Sequence, residues 1–314
     1  MLGKTASGLY WMFRHLERSE NTARLVDAGF RMALTRAADG EAEWESIVAT
    51  AGSRDDYLTH YDSFDSASVI DFLLRSRDNP SSVMSIFSAA RSNARLVRTA
   101  LTREVWECVN EGWMTLRDRL SRPVKQADLP EVLSLIRRQS GLVRGIFHGT
   151  MLRNDIFSYA RLGTFLERAD NTARILDVKY YVLLPSTSFV GSSLDNVQWE
   201  TVLRCASAER AFNWLHGGDA SPTSIAQFLI LEPEMPRSLL YCADKFVRNL
   251  RHLKDAYGGA HTQSLDIALD LRQRLRGEST DQIFKIGLHE YLTDFLAINN
   301  SLGRQIEADY RFYE

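Results

Sequence analysis

One charged segment occurs twice in this chain, and it restricts the possible folds more than any other feature. Phe13 to Asp27 reads FRHLERSENTARLVD and Gly163 to Asp177 reads GTFLERADNTARILD, an offset of 150 residues. Between Leu16/Leu166 and Asp27/Asp177 the shared residues are Leu, Glu, Arg, Asn, Thr, Ala, Arg and Asp, and three of the four differences are conservative. Two further echoes follow in the same order. Trp44-Glu45-Ser46-Ile47 returns as Trp199-Glu200-Thr201-Val202, and Phe72-Leu73-Leu74 with Pro80 returns as Phe228-Leu229-Ile230 with Pro236. Two copies without a shorter period read as a tandem duplication, not as a solenoid of many short repeats. Repeat 1 covers about residues 1–150 and repeat 2 about 151–314.

Apolar residues between the punctuation recur at three- and four-residue spacing, and the seven prolines stand near expected helix starts or loops. The expected fold is therefore all-α: one compact helical bundle over residues 1–314, built from two tandem, pseudo-symmetric helical repeats. Asn79-Pro80-Ser81-Ser82 reads as an N-cap with proline at the first helical position, opening a helix to about Leu101. Pro130 opens another towards Phe147, and Ser186 to Asn196 reads as a surface loop. Tyr257-Gly258-Gly259 ends a helix, and about Asp281 to Tyr310 forms the last one.

Composition narrows the functional classes. Thirty-eight Lys+Arg against forty Asp+Glu leave a net charge of -2, so there is no global basic field for nucleic acid or anionic membrane. Cys108, Cys205 and Cys242 form neither a CxxC pair nor an even set, which predicts buried thiols in a reducing cytoplasm. No apolar run reaches the length of a membrane span, and the start of the sequence lacks a signal-peptide pattern, so the chain reads as soluble and unprocessed.

At about 100° per residue, Leu9, Met12, Phe13, Leu16, Ala23, Phe30 and Leu34 form one stripe, with Glu20 and Asp27 inside it and Glu17 and Arg24 on its flank. The second copy places Leu162, Leu166, Ala173, Tyr180 and Leu184 around Asp170 and Asp177, flanked by Glu167 and Arg174. A charge in a core-facing stripe must be paired or solvated. Glu20/Arg24 and Asp170/Arg174 are i,i+4 pairs with the acid N-terminal. The adjacent Glu17-Arg18 and Glu167-Arg168 cannot pair with each other and need partners elsewhere. Either they bridge the two copies near a pseudo-twofold axis, or they line a cleft where arginine forks take a carboxylate or phosphate and the acids take an amine or metal. Asn21 and Asn171 belong to the same candidate cluster.

LERSENTAR and LERADNTAR, each with a Glu-Arg pair, resemble the alpha-E family of helical proteins named for an ER motif. NPSSV (Asn79 to Val83), ARSNARLVR (Ala90 to Arg98) and VWECVN (Val105 to Asn110) resemble its first-half landmarks, so the likeness covers nearly the whole chain. The resemblance implies a component of a peptide synthesis or modification system, acting with a circularly permuted ATP-grasp amide ligase and alongside a transglutaminase-like protein and an NTN-fold peptidase. It carries over Glu17, Arg18, Glu167 and Arg168 without a catalytic role. Within the chain, Met235-Pro236-Arg237 stands where the first copy has Asn79-Pro80-Ser81. The capping residue is absent there, which assigns any function of that corner to the first half.

Other candidates are weaker. Arg91, Arg95 and Arg98 form a basic ridge that reads as a solvated face or a surface for an anion or acidic partner. No Gly-rich phosphate loop, HExxH or ExxH pair occurs, so neither a cofactor nor a metal is expected. His148 and His289-Glu290 could exchange protons, but isolated histidines mostly pack. Trp106, Trp113, Tyr180 and Tyr181 read as core. Three functions remain open: a non-catalytic partner or substrate binder of the ligase, an enzyme with Glu17 or Glu167 as general base, and a structural assembly protein. A deep polar cleft containing both Glu-Arg pairs favours enzyme or binder; interlocked charges with an exposed apolar patch favour the partner role. If Arg18 and Arg168 share one network, Arg18→Ala and Arg168→Ala will be non-additive in thermal melts, and simple additivity refutes the shared cluster.

Overall fold

The computed structural model of the chain describes residues 1–35, 40–181, 193–217 and 220–313, without the side chains of 34–35, 178–181 and 193–198. Among the described residues there are fifteen α-helices and no strand. The chain is all-α, as the apolar spacing predicts. In order the helices are α1 (Gly3–Thr35), α2 (Glu41–Thr50), α3 (Arg54–Leu58), α4 (Ser66–Leu74), α5 (Val83–Leu96), α6 (Arg103–Arg119), α7 (Leu129–Thr150) and α8 (Asp155–Tyr181). They continue with α9 (Ser193–Cys205), α10 (Glu209–His216), α11 (Pro222–Leu231), α12 (Leu239–Ala256), α13 (Gln263–Gly277), α14 (Thr280–Ile286) and α15 (Leu288–Asp309). No described helix is long and apolar enough to cross a membrane.

The chain divides into two compact units. One is Gly8–Ala160; the other is Met1–Ser7 with Arg161–Glu314. Both long motif helices thus cross a unit boundary, α1 at Ser7/Gly8 and α8 at Ala160/Arg161. In the second unit the start of α1 lies so close to the C-terminal turn that a Cβ at Gly3 would meet the Arg311 carbonyl oxygen at 1.9 Å. In the same unit the Met1 ammonium donates to the Tyr257 hydroxyl at 3.3 Å.

Buried positions recur between the units in register. On α4 they are Val69, Ile70, Phe72, Leu73 and Leu74; on α11 they are Ile225, Ala226, Phe228, Leu229 and Ile230, each 156 residues later. On α7, Leu129, Val132, Leu133, Ile136, Ser140, Val143 and Phe147 are matched on α15 by Leu288, Tyr291, Leu292, Phe295, Asn299, Leu302 and Ile306, each 159 residues later. Apolar burial contributes about 25 cal/mol per Å², and both units direct it through the same helix faces.

Several boundaries differ from the sequence reading, each for a tertiary reason. The N-cap of α5 is Ser82, whose hydroxyl accepts from the Ser85 amide, not Asn79. Asn79 is fully buried and closes the preceding turn: its Nδ2 donates to the Phe72 carbonyl at 3.0 Å and its Oδ1 accepts from the Ser81 amide at 2.8 Å. The cap is also not lost in the second copy, because Ser238 caps α12 by accepting from the Tyr241 amide. Helix α5 stops at Leu96, and a short 3-10 turn, Arg98–Ala100, follows. Val97 is buried against α1, where a Cβ on Gly8 would come within 2.4 Å of its Cγ1. The last helical stretch is broken at Gly287, whose φ of 110° suits glycine and separates α14 from α15. Ser193 to Asn196 belongs to α9 instead of the expected loop, because Leu194 and Val197 extend the helical spacing that runs through Trp199 and Val202. The rest of that loop, Leu184, and the side chains of Leu34, Tyr180 and Tyr181 lie outside the described residues.

Two caps at equivalent positions make a direct comparison. Ser82→Ala and Ser238→Ala should each lower stability by about 1 kcal/mol, the usual cost of a lost serine N-cap, as measured by denaturant unfolding. A neutral Ser238→Ala would show that the second cap is idle.

Candidate functional site

The motif helix of the first unit is buried on nearly every side, so Glu17 has no flank to occupy. Glu17 is 1% exposed and Glu20 2%. A buried carboxylate at this depth requires a cation, and α7 supplies it. Arg144 Nη1 donates to Glu17 Oε2 at 2.8 Å, while its Nη2 meets Glu20 Oε2. The other Glu20 oxygen accepts from Arg24 Nε at 3.1 Å and Nη2 at 2.5 Å. Farther along α1, Asp27 accepts from Arg31 and from Arg137 of α7, both at 3.3 Å. The Ser19 and Ser140 hydroxyls lie 2.9 Å apart, and the Phe13 and Phe147 rings have centroids 4.4 Å apart. Partners thus descend on α7 as they ascend on α1, so the two helices run antiparallel along a seam of charge and apolar contact. Arg18 and Asn21 lie on the same helix, Arg18 half-buried and Asn21 buried.

The second unit builds its own seam from α8 and α15. Asn299 Nδ2 donates to the Leu166 carbonyl at 3.2 Å, and His289 Nδ1 lies 2.6 Å from Asp177 Oδ1. Asp170 accepts from Arg174 Nε at 2.7 Å. Glu167 and Asn171 are buried. Arg168 turns to the corner before α12, where its Nη1 donates to the Pro236 carbonyl at 3.3 Å, and Thr172 donates to the neighbouring Arg237 carbonyl at 2.8 Å. In both units the aspartate that closes the motif takes a nitrogen donor group from the last long helix of that unit.

The remaining candidates separate. Trp106 and Trp113 are half-buried, not core, because each carries a guanidinium on its ring: Arg98 over Trp106 at 5.5 Å, and Arg91 and Arg117 over Trp113 at 4.2 and 4.9 Å. Arg91, Arg95 and Arg98 accordingly do not form one ridge. Arg91 is also bound to Asn110 at 2.8 Å, Arg98 lies beyond the end of α5, and only Arg95 stands on an exposed helical position without these contacts. His148 packs edge-on against Phe157 at 5.2 Å. Cys108, Cys205 and Cys242 are free and buried, and burial together with the charge of Glu111 pushes the Cys108 thiol up to about 11. At neutral pH it is therefore not a nucleophile. Among the described residues no group of three or more His, Cys, Asp or Glu could hold a metal ion.

The sequence reading missed Arg137 and Arg144, although a signal existed. They stand seven apart, on one face of α7, with Ser140 between them. It also missed a cleft of about 760 Å³ in the first unit, between α4, the start of α5 and the end of α6, where Arg75, Arg77, Arg117 and Trp113 meet.

In the first unit, a motif helix whose buried acids are clamped by a neighbouring helix defines a charge-clamped, all-helical unit. The chain belongs to the Alpha-E family, described as a predicted alpha-helical domain with a conserved ER motif, whose model matches residues 1–310. It is also similar to uncharacterized proteins of Mycobacterium bovis and Mycobacterium tuberculosis, at 22% identity over 319 residues, which covers 94% of this chain and 35% of theirs. The chain therefore spans about a third of the length of the curated relatives it matches. No solved structure matches it.

Arg144 links two buried carboxylates, so Arg144→Ala should cost about 3–5 kcal/mol, the magnitude for breaking a buried ion pair. Arg144→Lys should recover only part, because one ammonium cannot reproduce two separate guanidinium contacts. Chemical unfolding of both variants checks this; a loss below about 1 kcal/mol, typical of an exposed pair, would contradict the clamp.

Proposed function

We infer that this Alpha-E chain acts in the cytoplasm as a partner subunit of a peptide synthesis or modification system, beside a circularly permuted ATP-grasp amide ligase. A transglutaminase-like protein and an NTN-fold peptidase are its further companions in that system. The ligase enters through the family resemblance. The partner role is supported by one observation above others: on α10, Trp214 is 92% exposed and its neighbour Leu215 59%. Phe212, on the opposite side of the same helix, is fully buried. Tryptophan at that exposure is unusual on a surface that faces only water, and buried tryptophans dominate the energetics of protein interfaces.

Two further facts agree with this reading. In the first unit the buried carboxylates of the motif helix are occupied by arginines of the same unit, an arrangement suited to framework. In the mycobacterial relatives the matched region is joined to about twice its own length of further chain, so a domain of this kind works next to other polypeptide.

The test is co-expression with a circularly permuted ATP-grasp ligase from the same organism, followed by size-exclusion chromatography. The expected result is co-elution, lost in Trp214→Ser/Leu215→Ser while the melting temperature of the isolated chain stays unchanged, since both side chains are exposed. ATP should titrate the complex but not the isolated chain. Absence of co-elution, or a complex indifferent to the double substitution, overturns the reading.

A further inference from the structure

The cleft between α4, α5 and α6 has an unusual chemical imbalance. Two buried nitrogen donors in its wall, Arg75 Nη1 and Trp113 Nε1, face no acceptor among the described residues. Leaving a buried donor unmade costs on the order of 1–3 kcal/mol, so the fold gains nothing by placing two of them together. The rest of the Arg75 guanidinium is held in place, with Nε donating to Asp71 at 2.8 Å. Arg77 is exposed and makes no ion pair among the described residues, while Arg117 lies over the indole ring and donates to the Asp118 carboxylate at 3.1 Å. Tyr61 supplies an aromatic wall at the same cleft; burial, with Asp71 and Asp78 nearby, raises its hydroxyl's pKa, so it stays neutral.

Comparison of the two copies separates framework from function here. The buried positions of α4 recur on α11 at an offset of 156, but Asp71, Arg75 and Arg77 fall on Gln227, Leu231 and Pro233. A helix of the same kind therefore folds without these charges. The free groups are donors, so the ligand must bring acceptors. Arg75 is paired with Asp71 and Arg117 with Asp118, so Arg77 is the guanidinium of the cleft without an ion pair among the described residues, and with the two free donors it favours a negative ligand.

We propose that this cleft binds an oxyanion, a carboxylate or phosphoryl group, carried on an aromatic or apolar body. The oxyanion accepts from Arg75, Trp113 and Arg77, and the body lies against Tyr61 and the indole ring. Arg117, more than half exposed, swings off the ring to admit it. This site lies in the first unit and does not depend on the docking face at Trp214, so either reading can fail alone.

The experiment is titration of the full-length, 15N-labelled chain, observed through its six indole N–H resonances, with Trp113→Phe identifying the relevant one. The probes are N-acetyl-phenylalanine, phenyl phosphate, inorganic phosphate and the neutral N-acetyl-phenylalaninamide. The expected result is a saturable downfield shift of the Trp113 indole proton with the carboxylate or the aryl phosphate, and none with the amide. The tighter of the two identifies the oxyanion. Arg77→Gln, at an exposed position, should weaken that probe roughly tenfold, as loss of a charge-assisted hydrogen bond does, while leaving the melting temperature intact. No shift with any probe at millimolar concentration, an equal shift with the amide, or undiminished binding to Arg77→Gln overturns the proposal. Inorganic phosphate binding as tightly as phenyl phosphate overturns the aromatic body.

Discussion

The structure of the first unit depends on one demand: two carboxylates, Glu17 and Glu20, are almost wholly removed from water on a helix that is buried on nearly all sides. An unpaired buried carboxylate is too costly to persist, so a neighbouring element must present cations at the right height. Arg144 meets both acids from α7, and Arg24 completes Glu20 from one turn farther along α1. Sliding α7 by a single turn, about 5.4 Å, would remove Arg144 from both acids and Arg137 from Asp27. Apolar packing between Phe13 and Phe147 tolerates small slips; the charged seam does not. Buried ion pairs add little net stability over apolar replacements but penalise wrong registers heavily. That penalty explains why charged residues occupy a helix that could have been filled with leucine.

The second unit meets a related demand with different residues. Asn299 takes the place in α15 that Ser140 takes in α7, and both stand at the level of the Leu16/Leu166 turn. His289 replaces arginine as the group that reaches the closing aspartate. Arg168 reaches the backbone carbonyl of Pro236. What recurs between the units is the position of polar ties along the motif helix, while the chemistry of each tie is free to change.

These differences explain what could be read from the sequence. Helical class and the repeated landmarks were legible because periodicity and self-similarity are local properties of the chain. The i,i+4 pairs Glu20/Arg24 and Asp170/Arg174 were legible for the same reason, since helix geometry alone brings them together. The partners of Glu17 and Asp177 were not, because they come from 127 and 112 residues away. The single-stripe wheel failed as well: it assumes one wet face, and α1 has almost none. Asn79 was misread as a cap because its side chain serves the preceding turn, a choice that depends on the Phe72 carbonyl being within reach. The tryptophans of α6 were misread as core because Arg91 and Arg98 reach them from α5 and beyond; Arg117, one turn after Trp113 on the same helix, was the one local signal and was passed over.

Positions at which the two similar segments differ carry more information than those at which they agree. Residues needed to fold a unit should recur in both copies at the helix offsets, and the apolar faces of α4/α11 and α7/α15 do so. A residue present in one copy and replaced by a chemically different one in the other cannot be required by the shared framework. Arg75 and Arg77, opposite Leu231 and Pro233, meet that criterion, and they lie together at one cleft with two unsatisfied donors. Glu17 and Arg18, repeated as Glu167 and Arg168, do not meet it. By this argument specialised chemistry is to be sought where the two repeated segments diverge.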